Sequence, residues 1–273
     1  MPVRRALLVG IDSYPRLAPR YQLAGCANDV RAMAGVLTER FAFPEDRLTT
    51  LLDGAATREG LLGALEALLE QTAPGDSVLF YFSGHGSQKR DADGDEDDGW
   101  DETLVAADSG RAPDPNRDLV DDEIGLWLGR LSRRTSNITL IFDSCHSGTA
   151  TRGEGRTRGV EPDWRWPPGA PLVPRRIYRR GPEETKGPSG WLSPAPPCLL
   201  LAGCRAGERS HEVEIGSGGL SHGALTYFLV ETLRQISPRA TWGDVFAALA
   251  PKVNALYPEQ NPQLEGDPAR TLF

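Results

Sequence analysis

No stretch of this sequence stays apolar long enough to cross a bilayer, and none has the cysteine spacing of a disulfide framework or a zinc site. Its 4 cysteines, Cys26, Cys145, Cys198 and Cys204, fall at irregular intervals without a C-x-x-C pair, so free thiols in a reducing compartment are expected. The first residues, Met1-Pro2-Val3-Arg4-Arg5, lead straight into an apolar run with no cleavage-site pattern, which makes a cytoplasmic protein the expectation. A formal net charge of -8 supplies no general excess of cations for nucleic acid. Neither nucleic acid nor membrane is therefore an expected partner, and no internal repeat is visible.

What is present fits a single globular α/β domain. The 273 residues are 39% hydrophobic and 25% charged, ordinary values for a chain with one large core. Short continuous apolar runs, Ala6 to Ile11, Ser77 to Phe82, Asn137 to Phe142 and Cys198 to Ala202, read as strands covered on both faces. Arg47 to Leu52 is a further strand candidate. Between them lie helical patterns: one starting near Asn28 or Asp29, one capped by Thr57 with Leu61, Leu62, Leu65, Leu68 and Leu69 on one face, and one over Leu119 to Leu131 capped by Asp121 or Asp122. Leu225, Phe228, Leu229, Leu233 and Ile236 form another stripe, and Thr241 caps a last helix that Pro251 should kink or interrupt. Alternation of strand and helix favours a parallel sheet with crossover helices.

Two strand candidates end in reactive residues. Val78-Leu79-Phe80-Tyr81-Phe82 leads into Ser83-Gly84-His85-Gly86, and Ile138 to Phe142 leads into Asp143-Ser144-Cys145-His146-Ser147-Gly148. A lone Cys is often a small buried hydrophobe. His85 between two glycines changes that balance, because a thiolate nucleophile needs a base or an ion-pair partner, and His titrates nearest working pH. The backbone N–H groups of Gly86 and Cys145 are the candidate donors for an oxyanion. His146 is the rival base, but neighbours in an extended chain point to opposite sides, which makes it structural or a surface residue. No third catalytic residue stands out; Asp12 and the acidic loop after His85 are the available orienters.

These two motifs, in this order, together with Gly25-Cys26-Ala27-Asn28-Asp29, resemble the metacaspase branch of the caspase-like cysteine peptidases, of the prokaryotic type. Leu200 to Arg205 and Gly223 to Leu229 resemble its small-subunit part. The resemblance implies a caspase-like α/β fold with a central, mainly parallel six-stranded sheet and helices on both faces. It also implies a large-subunit-like part at 1–150, a loop at 151–197 and a small-subunit-like part at 198–273 of the same domain. The implied activity is a cysteine endopeptidase needing no cofactor for its chemistry. A transpeptidase or ligase using the same acyl-enzyme and a noncatalytic caspase-like signalling module are the alternatives.

Ser83 and Asp143 each lie two positions before a catalytic candidate, so strand geometry puts them on the same side as His85 and Cys145. With Asp29 they make an acidic pocket that calls for a cation, predicting protein or peptide substrates cut after Arg or Lys. Helix capping is the other use for Asp29. The run from Asp91 to Glu102 has acids at positions one, three, five and twelve of an EF-hand count, but Glu96 replaces the required glycine. A hydrated acidic run and a calcium site of another kind both remain open; the resemblance implies Asp101, Asp121 and Asp122 as ligands of an activating Ca2+. The usual aspartate after the Cys motif is missing.

Thr149 to Pro197 is rich in Pro, Gly and Arg and reads as a long exposed loop. An enzyme that cuts after Arg would here carry Arg152, Arg156, Arg158, Arg175, Arg176, Arg179 and Arg180 beside its own acidic pocket. A zymogen follows, inhibited by this segment and activated by cutting it, either in cis or by an upstream protease. Trp164, Trp166 and Trp191 are expected to pack the loop on the body.

Overall fold

The computed structural model describes residues 2–92, 96, 98–146, 156–166, 186–191, 198–215 and 219–273. Its centre is a sheet of six strands in the order β11-β8-β7-β3-β1-β2, with β1 at Arg4–Gly10, β2 at Leu48–Leu52, β3 at Ser77–Ser83, β7 at Asn137–Asp143, β8 at Cys198–Ala202 and β11 at Gln263–Glu265. Five of these strands run parallel, and β11 pairs antiparallel with β8 at one edge. The continuous apolar runs arise because both faces are covered. In β3, Val78, Phe80 and Phe82 join one core while Leu79 and Tyr81 join the other.

On one face lie α1 (Cys26–Phe41), α4 (Ala224–Gln235) and α5 (Trp242–Leu256), whose Val30, Met33, Leu37, Leu225, Leu229 and Leu249 pack together. The other face carries α2 (Arg58–Gln71) and α3 (Asp121–Leu131) through Leu61, Leu65, Ile124 and Trp127. A small antiparallel sheet, β4 (Gly86–Arg90), β5 (Trp100–Leu104) and β6 (Leu119–Val120), continues from the end of β3, and the hairpin β9 (Glu212–Ile215) and β10 (Leu220–Gly223) precedes α4. No helix among the described residues is long and apolar enough to cross a membrane.

Several local expectations are corrected. Helix α1 starts at Cys26 rather than at Asn28 or Asp29, because Asp12 reaches over to accept from the Cys26 and Ala27 N–H groups at 2.8 and 3.1 Å. Asp12 is thus a helix cap and not an orienter of His85. At α3 neither Asp121 nor Asp122 is the cap; Glu123 folds back onto the Val120 N–H at 3.1 Å. Helix α5 runs through Pro251, held by the buried Val245, Leu249 and Val253 that flank it. Burial of a whole apolar face offsets the one backbone bond that proline removes.

The stretch from Thr149 to Pro197 is not simply an exposed loop. Within its described parts, Arg158, Val160, Asp163 and Trp191 are all buried, with Arg158 and Val160 at 0% exposure. Trp191 packs on Phe142 and His146 at 4.8 and 4.3 Å between ring centroids, whereas Trp164 and Trp166 stay exposed near Arg90. Arg152, Arg175, Arg176, Arg179 and Arg180 lie outside the described residues.

Candidate active site

Strands β3 and β7 are neighbours in register, with Ser83 opposite Asp143 and the Gly84 N–H donating to the Asp143 carbonyl. His85 and Cys145, each two residues further on, leave adjacent strands at the same sheet edge. Beside them the strand order reverses between β1 and β3, the place where open α/β sheets leave a crevice at their carboxyl ends. Gly86 lets the two ends approach: a Cβ there would collide with the Cys145 carbonyl.

His85 is buried and its tautomer is set by the main chain. Nε2 lies 2.6 Å from the Tyr21 carbonyl, an acceptor, so Nε2 carries the proton and Nδ1 is the basic nitrogen. Nδ1 has no regular hydrogen-bond partner among the described residues, and the backbone of Arg158 lies beside the ring. Tyr14 packs against the ring at 4.8 Å and its hydroxyl accepts from the His85 N–H at 2.8 Å. Burial pushes the imidazole down to about 4, opposed by the Tyr21 hydrogen bond and reinforced by the charge of Arg158. The Cys145 thiol moves below its ordinary value, chiefly through a hydrogen bond from Cys204, with burial working the other way. His146, also buried and lowered to about 4 by desolvation, turns to the Ser87 carbonyl and Trp191.

Asp29, Asp143 and Ser83 come together around one guanidinium, that of Arg158. Arg158 Nη2 donates to Asp29 Oδ2 at 2.7 Å, and Nη1 donates to Ser83 Oγ at 2.7 Å and lies 3.3 Å from Asp143 Oδ2. Glu212 adds a third carboxylate 3.4 Å from Nη2. Burial disfavours the charge of Arg158, but the carboxylates of Asp143, Asp29 and Glu212 outweigh it and hold the guanidinium firmly protonated. The carboxylates are themselves fixed: Asp29 accepts from Ser83 Oγ and the Gly223 N–H, and Asp143 accepts from Ser210 Oγ and from the N–H and hydroxyl of Thr226. A side chain at Gly223 would fill the space that Arg158 occupies.

The backbone around Arg158 lies as an extended peptide would lie across this edge. Its carbonyl accepts from the Gly86 and Cys145 N–H groups, each at 3.0 Å, and its own N–H donates to the Ser210 carbonyl at 2.8 Å. Upstream, Thr157 pairs antiparallel with His211, and the Glu212 N–H donates to the Arg156 carbonyl at 2.9 Å. Downstream, Gly159 and Asp163 form parallel bridges to Gly86 and Lys89, with the Val160 N–H on the Gly86 carbonyl. The result is a carbonyl oxygen held by two backbone donors at the strand ends that carry the thiol and the imidazole, the arrangement an oxyanion site needs.

The acidic loop is arranged differently from the implied calcium set. Among the described residues Glu96, Glu102 and Asp121 bring carboxylate oxygens within 4.8 Å of one another, so of the three implied ligands only Asp121 belongs to this group. Asp101 faces Lys89 across the β4–β5 ladder, and Asp122 sits in the first turn of α3. The Lys186 ammonium pairs with both Glu96 and Glu102. A cation of the chain's own already pairs with two of the three carboxylates, and calcium would have to displace it.

Three participants escaped the sequence reading. The Tyr21 carbonyl leaves no trace in side-chain chemistry. Glu212 belongs to no motif, its only signal being the alternation Glu212-Val213-Glu214 after a loop. Cys204 shows in the sequence only as one more free thiol.

A strand-end Cys and His beside a doubly covered parallel sheet define the caspase-like class. The fold is shared over 100% of both chains with the crystal structure of protein GSU0716 from Geobacter sulfurreducens, at a TM-score of 0.66 and 23% identity. Residues 4–152 match the metacaspase, peptidase C14 domain. A Metacaspase-1A of Aspergillus fumigatus is 30% identical over 292 aligned positions covering 96% of this chain and 68% of that protein. The chain belongs to the metacaspase family of cysteine peptidases. A Metacaspase-1 of Pyricularia oryzae is 40% identical over 153 residues, 54% of this chain; the match spans only 37% of that relative's length.

Proposed function

We propose that this chain is an endopeptidase that cuts after arginine or lysine and is held as a zymogen by its own Arg158. One observation carries the reading: the guanidinium of Arg158 sits among Asp29, Asp143 and Glu212 while its carbonyl takes both candidate oxyanion donors. A buried trio of carboxylates needs a cation, and in a substrate complex the residue before the cut supplies it.

The chemistry follows from the same contacts. His85 Nδ1 takes the proton of Cys145, and the thiolate attacks the carbonyl carbon of the arginine. Negative charge on the carbonyl oxygen is met by the Gly86 and Cys145 N–H groups. As the C–N bond breaks, His85 returns the proton to the departing amine, and the Tyr21 carbonyl keeps the ring in the tautomer that permits this. Water, deprotonated by His85, then attacks the thioester and releases the acid, regenerating the thiol. In the uncut chain the first bond so placed joins Arg158 to Gly159. Cutting it frees the carboxylate pocket for other substrates, and because Arg158 is fully buried with its carbonyl on the chain's own donors, the same molecule makes that cut. Calcium has no assigned step, since Lys186 already answers the acidic cluster.

A peptide panel differing only in the residue before the cut tests the specificity. Arg and Lys peptides should be hydrolysed and Asp and Leu peptides left intact, with all activity lost in Cys145→Ala. Undiminished Arg cleavage by Asp143→Ala would remove the pocket assignment.

A further inference from the structure

Glu212 faces two arginines. Its Oε1 lies 3.4 Å from Arg158 Nη2, and its Oε2 lies 3.8 Å from Arg156 Nη1. The spacing is what an extended chain dictates: residues two apart share a face, so the residue at the cut and the one two before it turn toward the same strand. That strand is β9, antiparallel to the segment through Thr157 and His211. Glu212 is nearly buried, its side chain 4% exposed, and it is anchored from behind by the Ala24 and Gly25 N–H groups. Arg156 is 51% exposed, leaning over a cleft of about 340 Å³ whose described lining also includes Glu214 and Ser221.

We infer that the site reads a second basic residue, two positions before the cut, through the outer oxygen of Glu212, so that substrates of the form Arg-x-Arg are preferred to x-x-Arg. The inference rests on the peptidase reading above and extends it: the segment 156–158 is a template for what an incoming substrate should look like. Glu212 is here a specificity residue, with one oxygen for each arginine. Glu214, two residues along the same strand, adds negative charge at the open end of the cleft, where a longer or differently seated cation is still attracted. Because the outer pair is half exposed, its contribution is modest and falls with salt.

The test uses the full chain after cleavage of its loop and two fluorogenic tetrapeptides, Ala-Arg-Thr-Arg and Ala-citrulline-Thr-Arg. Citrulline keeps the shape of arginine and removes the charge. The arginine peptide should be hydrolysed with a kcat/KM about 1.5- to fivefold higher, as expected of a single half-exposed ion pair. The ratio should fall toward one in 0.5 M salt and in Glu212→Gln, which keeps an oxygen for the anchoring N–H groups and lowers both rates together through the inner arginine. A ratio of one in the wild-type enzyme, or a preference that Glu212→Gln retains, overturns the inference. The wild-type comparison decides the matter even where Glu212→Gln misfolds. Failure to cut either peptide overturns the peptidase reading itself, and is told apart because a lost preference requires two measurable rates.

Discussion

Removing the Arg158 guanidinium should destabilise the uncut protein and should be reversible by a guanidinium supplied from solution. The comparison is Cys145→Ala with the double variant Cys145→Ala, Arg158→Ala, so that no proteolysis intrudes. Arg158, Asp29 and Asp143 are fully buried and Glu212 nearly so. Removing one partner of such a buried charge cluster costs about 3–5 kcal/mol, because the remaining charges are left desolvated and unpaired. At about 2–4 °C per kcal/mol for a domain of this size, the double variant should melt roughly 10 °C lower by scanning fluorimetry. Agmatine, a free guanidinium, should restore part of the loss, about 2.7 kcal/mol at a hundredfold excess over its Kd. It should do nothing for Cys145→Ala, whose pocket is filled. Equal melting temperatures, or the same response of both proteins to agmatine, would refute the placement of Arg158.

Three further outcomes follow. In the cut enzyme, Cys204→Ala removes the hydrogen bond that lowers the Cys145 pKa, so the midpoint of iodoacetamide alkylation against pH should move up; an unchanged or lower midpoint would count against that contact. His85 and His146 are both held near 4 when folded, below the 6.5 of the unfolded chain. Unfolded chain therefore binds more protons as pH falls, so urea unfolding of Cys145→Ala should show stability constant above about pH 6.5 and lost progressively toward pH 4, of order 3 kcal/mol per histidine, with His146→Phe removing half of that slope. Because Lys186 already pairs with both Glu96 and Glu102, hydrolysis of an Arg peptide should proceed at the same rate in chelator and in millimolar calcium; strict calcium dependence would mean that the ion displaces Lys186.

The central strands β1, β3, β7 and β8 were legible because a parallel sheet covered on both faces writes itself as uninterrupted apolar runs, whereas β4, β5, β6, β9, β10 and the edge strand β11 carry no such run. The residues at their ends were legible for the same reason: once Val78 to Phe82 and Ile138 to Phe142 are neighbouring strands, the sheet brings Ser83 and Asp143 opposite each other and carries His85 and Cys145 to the same edge. Helix starts were less so, since Asp12 caps α1 from 14 residues away and no window centred on Asn28 contains it. The described parts of the insert misled for a different reason. Their order comes from strands and pockets far off in the chain: Arg158 meets Asp29 across 129 positions, and Val160 gains its burial from β4. Composition alone shows only Pro, Gly and Arg there, which is also how a hydrated linker looks. The Tyr21 carbonyl is beyond any side-chain reading, because every residue has one.

The most direct measurement is the mass and N-terminal sequence of the fragments formed when purified wild-type protein is incubated, beside Cys145→Ala. The expected result is a break between Arg158 and Gly159, a new chain beginning Gly159-Val160-Glu161, hydrolysis of added Arg peptides rising with that break, and no break in Cys145→Ala alone. Full activity in an intact single chain would contradict it, as would a first cut that leaves the Arg158–Gly159 bond whole.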